Sequence, residues 1–248
     1  MYLLAIDTAG RTAAVAVLQD DTLLYEAFSD TGFTHSETLL PMADAALKAC
    51  GLTPAQIDLY GVTAGPGSFT GLRIGLAAVK GLAFAANTPC AGVSTLDALA
   101  RGVNGAGTVV AALDARRGQV YWAGFDLAGH ARLTPDDAAP VTELANFVAT
   151  CKKPVFFVGD GAALCYNTFE KTEGVLPCPP ALRGCRGAGV ALAARAQWQA
   201  GQAVAPAALL PSYHRLSQAE RERAEREAAG AAQAPANREA KKECFADE

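Results

Sequence analysis

The sequence predicts an α/β fold in which mixed β-sheets are flanked by helices and the whole arrangement is built twice. Three observations indicate this. An apolar strand that ends in aspartate, a short turn and a second apolar strand occur at 3–17 and again at 109–125. In both halves strands come first and helices then alternate with strands, which is typical of sheets covered by helices. Finally, 51% of the 248 residues are hydrophobic, which is enough for a large core.

The first half begins with three predicted strands, of which the first ends at Asp7. Asp20 and Asp21 form the hairpin turn between the second and the third strand. Helices and strands then alternate until Pro89, which ends the last helix of this series. The predicted elements are strands 3–7, 13–17 and 22–27, helix 35–50, strand 59–63, helix 70–86 and strand 91–93.

The second half repeats the first pattern around Asp114, which follows an apolar run in the same way as Asp7. Gly129 marks a turn before a third, short strand. The segment 159–162 is interpreted as a turn from a strand to a helix. The predicted elements are strands 109–113, 120–125 and 131–133, helix 142–150, strand 155–158 and a helix near 186–199.

The chain is therefore divided into two folded regions and a tail. The predicted boundaries are 1–103, 104–215 and 216–248. Residues 217–248 contain 14 charged residues in 32, so 217–229 is predicted as a solvated charged helix and the remainder as disordered. A docking segment for a partner is the alternative interpretation of the tail.

Composition limits the classes of function. The net charge of −4 and the pI near 5.5 argue against a broad nucleic-acid-binding surface, since affinity for nucleic acid depends mainly on neutralising phosphates. Seven cysteines without a CxxC spacing indicate reduced thiols. No stretch reads as a signal peptide or a membrane span. We therefore expect a cytoplasmic protein that does not contact membranes.

The most informative segment is the loop 65–71, with the sequence GPGSFTG. Its glycines allow a sharp reversal and a close approach of backbone to another group, and Ser68 or Thr70 can cap the next helix. That helix is apolar nearly all round, so it must be covered on two sides. Taken alone, it is interpreted as a core helix. Two stripes lie on it, one of Leu72, Leu76, Val79 and Ala83, the other, of smaller residues, of Gly71, Gly75, Ala78, Leu82 and Ala85.

Several motifs together resemble a known family. A duplicated start with an aspartate after the first strand resembles the actin-like ATPase and sugar kinase superfamily, whose domains are RNase H-like. Within it, the sequence closely resembles the TsaB family over about 1–215, strongly in the first half and weakly at 130–205. The motifs are Ile6-Asp7-Thr8 and the segments 35–41, 65–81, 92–96 and 114–122.

The resemblance implies a non-catalytic scaffold or dimerization subunit. TsaB-like proteins act with the catalytic subunit TsaD and the ATPase TsaE, which together transfer a threonylcarbamoyl group from its adenylate to adenosine in the anticodon loop of tRNA. Contact with tRNA is expected to be only indirect. The resemblance also implies that the helices 35–50 and 70–86 meet their counterparts on TsaD, or a second copy when the chain is alone. One stripe is then expected to face the sheet and the other the partner. The predicted interface residues are Leu39, Leu40, Ala43, Leu47, Gly71, Leu72, Gly75, Leu76, Ala78, Val79 and Leu82.

Asp7, Thr8 and Asp114 occupy positions where kinases of the superfamily orient a metal and the phosphates of a nucleotide. Such a site needs glycine amides directly after the aspartate. Only Gly10 follows the first aspartate closely, and no glycine follows Asp114 until Gly118. These three residues are therefore predicted to form at most a vestigial nucleotide site. No cofactor is expected, with weak ATP–Mg²⁺ binding left open.

No metal site is predicted, because His35, His130 and His214 cannot pair at the spacing of four that a helical metal site needs. His35 lies instead within a capping box formed by Thr34 and Glu37.

Two rival functions stay open. One is an ATP-dependent transferase or kinase that uses Asp7 and Asp114. The other is a peptidase with a cysteine nucleophile, although no set of cysteine, histidine and acid is visible in the sequence.

Overall fold

The computed structural model describes residues 1–213, which belong to one compact unit. The predicted charged helix at 217–229, the tail that follows it, His214 and Cys244 lie outside the described residues. Within 1–213, no helix combines the length and the apolar character that crossing a bilayer requires. The division of this unit into 1–103 and 104–215 stays a prediction.

The first half of the chain forms a mixed five-stranded sheet. Its strand order is β3-β2-β1-β4-β5; β2 runs antiparallel to its two neighbours, whereas β4 runs parallel to its own. All residues of β4 are buried, as expected for a strand covered on both faces. The strands are β1 (Tyr2–Asp7), β2 (Ala13–Gln19), β3 (Thr22–Ser29), β4 (Leu59–Gly65) and β5 (Cys90–Ser94).

The second sheet repeats part of this topology, which confirms the predicted duplication. A central strand pairs antiparallel with the strand that follows its turn and parallel with a later strand, in the way that β1 pairs with β2 and β4. Its strand order is β10-β6-β7-β8, and β9, which the sequence did not predict, also pairs with β7. The strands are β6 (Thr108–Arg116), β7 (Gln119–Asp126), β8 (Ala131–Arg132), β9 (Asp137–Pro140) and β10 (Val155–Val158).

Six α-helices cover the sheets in the described part of the chain. They are α1 (His35–Ala49), α2 (Phe69–Phe84), α3 (Thr95–Arg101), α4 (Ala145–Thr150), α5 (Ala162–Phe169) and α6 (Gly187–Gln199). Buried side chains form three clusters. One lies between the first sheet and the pair α1–α2, one joins α3 and α6 to both sheets, and one lies between the second sheet and the pair α4–α5. The layers are therefore helix, sheet, helix, sheet, helix.

Two of the predicted helices differ from the sequence-based expectation. The helix predicted at 142–150 begins with a 3₁₀ turn at Val141–Leu144, so only Ala145–Thr150 is α-helical. The helix predicted near 186–199 was assigned to the second half, but α6 packs on β1, β2, β4 and β5 of the first sheet and alongside α3. An apolar, small-residue pattern indicates that a helix is buried, but it does not indicate which sheet covers it.

Candidate functional site

Asp7 lies at the end of β1 and is fully buried. Its Oδ1 accepts hydrogen bonds from the Thr63 hydroxyl at 2.8 Å and from the Ala9 amide at 3.1 Å. Its Oδ2 has no hydrogen-bond partner within residues 1–213. Burial raises the pKa of the Asp7 carboxyl to about 6, although the two hydrogen bonds favour the charged form. Asp7 Oδ1 therefore stabilises the turn, whereas Oδ2 is unpaired within the described residues.

Thr8 holds the first turn of α2. Its hydroxyl is buried and donates to the Gly71 carbonyl oxygen at 2.8 Å. A Cβ atom at Gly71 would overlap the Thr8 carbonyl oxygen, and one at Gly75 would overlap the Thr8 hydroxyl. The Ser68 amide, one residue before α2, donates to the Ala9 carbonyl oxygen at 2.6 Å. The glycines of the 65–71 loop and of α2 therefore allow this helix to lie directly against the turn after β1.

The N-terminus of α1 is fastened to the same turn. His35 Nε2 donates to the Gly10 carbonyl oxygen at 3.0 Å, so the proton of the neutral ring is on Nε2. Its Nδ1 is buried and unpaired within the described residues. The predicted capping pair is confirmed, because the Glu37 carboxylate accepts from the Thr34 amide at 3.2 Å and from the Thr34 hydroxyl at 2.6 Å. The hydrogen bond from His35 to Gly10 was not predicted.

The second turn brings Asp114 beside an acidic residue that the sequence did not single out. The Asp114 amide donates to Asp160 Oδ1 at 2.8 Å, and Asp160 Oδ2 lies near Gly10 of the first turn. Although Asp160 keeps part of its surface in solvent, partial burial raises the pKa of its carboxyl, and the negative charge of Asp114 adds to the effect. Asp114 itself is exposed and pairs with Arg116 at 3.4 Å. The sequence feature that could have identified Asp160 as a site residue is its position between Gly159 and Gly161, directly after β10.

These contacts do not fit a phosphate cradle. Thr8 is hydrogen-bonded to α2 and the Ala9 carbonyl to the loop before α2. The second turn carries Arg116 and Arg117 in left-handed backbone conformations where a cradle needs glycine. Within 1–213, no group of three His, Cys, Asp or Glu side chains is placed to hold a metal ion. The assignment of Asp7, Thr8 and Asp114 to a vestigial nucleotide site stays a prediction, and in the structure the first two form hydrogen bonds to α2 and β4.

The described cysteines do not resemble activated nucleophiles. All six carry free thiols. Burial raises the pKa of Cys90 to about 11 and that of Cys165 to about 12. The pKa of Cys185 is also raised, first by burial and then by the nearby Asp7 carboxyl. A raised thiol pKa disfavours the thiolate, which is the reactive form, so these three positions do not favour a cysteine peptidase.

The predicted interface residues on α1 and α2 are largely covered by this chain. Leu39, Ala43, Leu47, Gly71, Leu72, Gly75, Leu76 and Val79 are buried. One stripe was expected to face the sheet and the other a partner, but both stripes have members that this chain buries. In the small-residue stripe, Gly71 and Gly75 contact Thr8. The Cδ2 atom of His35 would lie 3.4 Å from a Cβ atom at Gly71, so this side of α2 faces α1 as well as β1. The physical reason is that a glycine stripe suits close packing of any backbone, including that of the same chain.

A narrower apolar surface is left on the two helices. On α1, Leu40 keeps 53% of its side chain exposed, and Phe84 at the end of α2 keeps 76%. Ala78 and Leu82 are partly buried. Ile74 lies on the same side of α2, since residues four apart share a side, and it too is partly buried together with Met42 of α1. We call these six residues the helix-pair surface. Ile74, Met42 and Phe84 were not predicted.

Comparison with known sequences gives consistent matches. A family model described as TsaD, tRNA N6-adenosine threonylcarbamoyltransferase, matches residues 30–223. The tRNA threonylcarbamoyladenosine biosynthesis protein TsaB of Escherichia coli (strain K12) is 43% identical over 128 residues, 50% of this chain and 55% of that protein. Its namesake in Bacillus subtilis (strain 168) is 32% identical over 177 residues, 70% of this chain and 77% of that protein. The chain thus spans little more than half of the first relative.

Solved structures agree on the fold. A Pseudomonas aeruginosa protein, described as uncharacterized with similarity to peptidase YEAZ, has a TM-score of 0.74 at 30% identity, covering 86% of this chain and 99% of that chain. Component A of (R)-2-hydroxyglutaryl-CoA dehydratase from Acidaminococcus fermentans has a TM-score of 0.51 at 14% identity, covering 79% of this chain and 98% of that chain, and this likeness concerns the fold alone. The predicted fold class, an actin-like ATPase and sugar kinase fold with duplicated RNase H-like sheets, is confirmed.

Proposed function

Because this chain belongs to the TsaB family, we propose that it serves in the biosynthesis of threonylcarbamoyladenosine on tRNA as a non-catalytic scaffold subunit. In this proposal a TsaD-like catalytic subunit transfers the threonylcarbamoyl group from its adenylate to adenosine in the anticodon loop. A TsaE-like ATPase completes the complex. This chain contacts tRNA only indirectly.

The use of the turn after β1 supports a structural rather than a catalytic role. The Thr8 hydroxyl, the Ala9 carbonyl and Asp7 Oδ1 are bonded to α2, to the loop before α2 and to β4. A residue that handles phosphate would need these groups free to reach a ligand. The proposal rests chiefly on the observation that the polar groups of the turn after β1 hold α2 in place.

The helix-pair surface is the proposed contact for the TsaD-like subunit. Its exposed members are apolar, and exposed leucine and phenylalanine side chains on neighbouring helices gain free energy when another protein covers them. Contacts between α1 and α2 keep the two helices side by side, so a partner can place two helices of its own against them. In the absence of the catalytic subunit, a second copy of this chain is the proposed occupant.

Reconstitution tests the function. Purified TsaD-like and TsaE-like subunits, the adenylate-forming enzyme and unmodified tRNA are combined with and without this chain, and the modified nucleoside is quantified by mass spectrometry. We expect product formation to fall at least tenfold without the chain and to recover when it is added back. Equal yields with and without the chain would contradict the proposal.

A further inference from the structure

The turn at residues 8–10 contacts both helices of the helix-pair surface. Thr8 donates to the Gly71 carbonyl in the first turn of α2, and His35 at the start of α1 donates to the Gly10 carbonyl. In the first bond the turn is the donor and α2 the acceptor, whereas in the second bond α1 is the donor and the turn the acceptor. Two helices that are 20 residues apart in sequence are thereby both held by hydrogen bonds to the same three consecutive residues.

We propose that Thr8 and His35 are positioning residues for the partner surface: their two hydrogen bonds set the placement of α2 and α1 relative to each other. This proposal rests on the proposed function, since it deepens the account of how the same surface is formed. Neither residue belongs to the helix-pair surface. Thr8 is fully buried, and His35 is partly buried with its ring directed at the turn.

The packing explains why these bonds matter for placement. A helix that packs through large side chains can slide or rotate by repacking them, whereas α2 approaches Thr8 through glycines. At Gly71 the backbone of α2 lies against the backbone of Thr8, and at Gly75 it lies against the Thr8 hydroxyl, which also donates to the Gly71 carbonyl and so fixes the position of α2 along β1. A buried hydrogen bond of this kind contributes about 1 kcal/mol, which corresponds to about fivefold in an equilibrium constant.

On α1, the contact with the turn is made by the His35 side chain. The ring of His35 lies between Gly10 and the side of α2 that carries Gly71. A protonated His35 would still donate from Nε2, so the bond does not require a particular charge state. The geometry requires only a donor at the position of Nε2, and a glutamine amide can supply one.

The first test replaces Thr8. Thr8→Val keeps the shape and removes the hydroxyl, Thr8→Ser keeps the hydroxyl, and Thr95→Val is the matched control. Thr95 is equally buried, but its hydroxyl has no partner within the described chain and lies on α3. We measure the Kd for the TsaD-like subunit of the same organism by calorimetry, and amide hydrogen exchange along α2 in the isolated chain.

We expect Thr8→Val to weaken the Kd about fivefold and to speed exchange in the first two turns of α2 by about fivefold to tenfold. Thr8→Ser should stay within twofold of the wild type for both quantities, and Thr95→Val should change neither. Wild-type exchange in α2 of Thr8→Val would overturn the proposal, as would an equal effect of Thr8→Ser and Thr8→Val.

The second test keeps the proposal falsifiable if Thr8→Val does not fold. His35→Leu removes the donor to Gly10, and His35→Gln retains one. We expect faster exchange in the first turn of α1 and a Kd about fivefold weaker for His35→Leu, with His35→Gln close to the wild type. Identical behaviour of the two variants would overturn the role of His35. If the wild-type chain does not bind the TsaD-like subunit at all, the proposed function fails, while the exchange data still decide whether these residues position the helices.

Discussion

The Asp7 carboxyl is buried, and its pKa is higher in the folded chain than in the unfolded chain. Its ordinary pKa of 3.8 rises to about 6 in the folded chain, chiefly because burial disfavours the charged form. Between these values the folded state binds more protons than the unfolded state. The unfolding free energy therefore decreases as pH rises from about 4 to about 6 and does not recover above that.

Asp7→Asn should remove this dependence. A shift of this size corresponds to about 3 kcal/mol between the two plateaus. Urea unfolding of both proteins at pH 4 to 8 is expected to show a difference, variant minus wild type, that increases by about that amount with pH. A constant offset between the two curves would contradict the prediction.

A second variant checks the cause of the pKa shift. Thr63→Val should raise the pKa of Asp7 further, as measured by carboxyl carbon NMR, since it removes a hydrogen bond that favours the charged form.

At the scale of elements, α6 begins at a carboxylate that belongs to β3. Glu26 accepts from the Ala188 amide at 3.0 Å and pairs with Arg186 at 2.6 Å. Helix N-termini leave amides unpaired and carry a partial positive charge, so a carboxylate is well suited there. Arg186 also lies over the Phe28 ring at 5.0 Å. The Glu26–Arg186 pair joins residues 160 apart in sequence and helps to place α6 on the first sheet.

Glu26→Ala is expected to destabilise the fold by about 2 kcal/mol, because it leaves a helix amide and a partly exposed guanidinium without their acceptor. Glu26→Gln keeps the acceptor for the amide, and we expect about half of the loss. Equilibrium urea unfolding measures both. Asp44→Ala is the control, since its pair with Lys48 is exposed on both sides and such pairs contribute about 0.5 kcal/mol or less. Similar losses for Glu26→Ala and Asp44→Ala would count against the helix-capping role.

The two helix layers on either side of the first sheet differ in what covers them. The α3–α6 layer is covered by protein on both sides, whereas α1 and α2 have the first sheet on one side and exposed apolar side chains on the other. The helix-pair surface is therefore an outer layer in which part of the hydrophobic area is left uncovered by the described chain.

Leu40→Asp should weaken binding to the TsaD-like subunit at least tenfold without affecting the fold, because this side chain is already 53% exposed in the isolated chain. The Kd is measured by calorimetry and the fold by thermal unfolding. Leu176→Asp is the control: Leu176 is 44% exposed and lies beside β10 of the second sheet. An unchanged Kd for Leu40→Asp would argue against this surface, and a weakened Kd for Leu176→Asp would place the contact elsewhere.

Most of the elements and the duplicated order of the first strands could be predicted from local sequence patterns. Alternation of apolar residues, the aspartates near the ends of β1 and β6 and the capping residues at 34 and 37 act over a few neighbours, so they can be read without the fold. The same local rules located the 65–71 loop and predicted that its glycines serve a close approach. They left the identity of the approaching group open.

Contacts between residues that are distant in sequence could not be predicted in this way and came from the folded structure. It placed Thr8 against Gly71 and Gly75, Asp160 beside Asp114, and α6 on the first sheet. These pairs are separated by 46 residues or more. Periodicity specifies which side of a helix or strand is buried, but the contact partner depends on how all the layers pack together, because burial is favourable against any complementary apolar surface. For the same reason the sequence did not indicate which stripe of α2 meets its own chain, and the structure places Gly71 and Gly75 against Thr8.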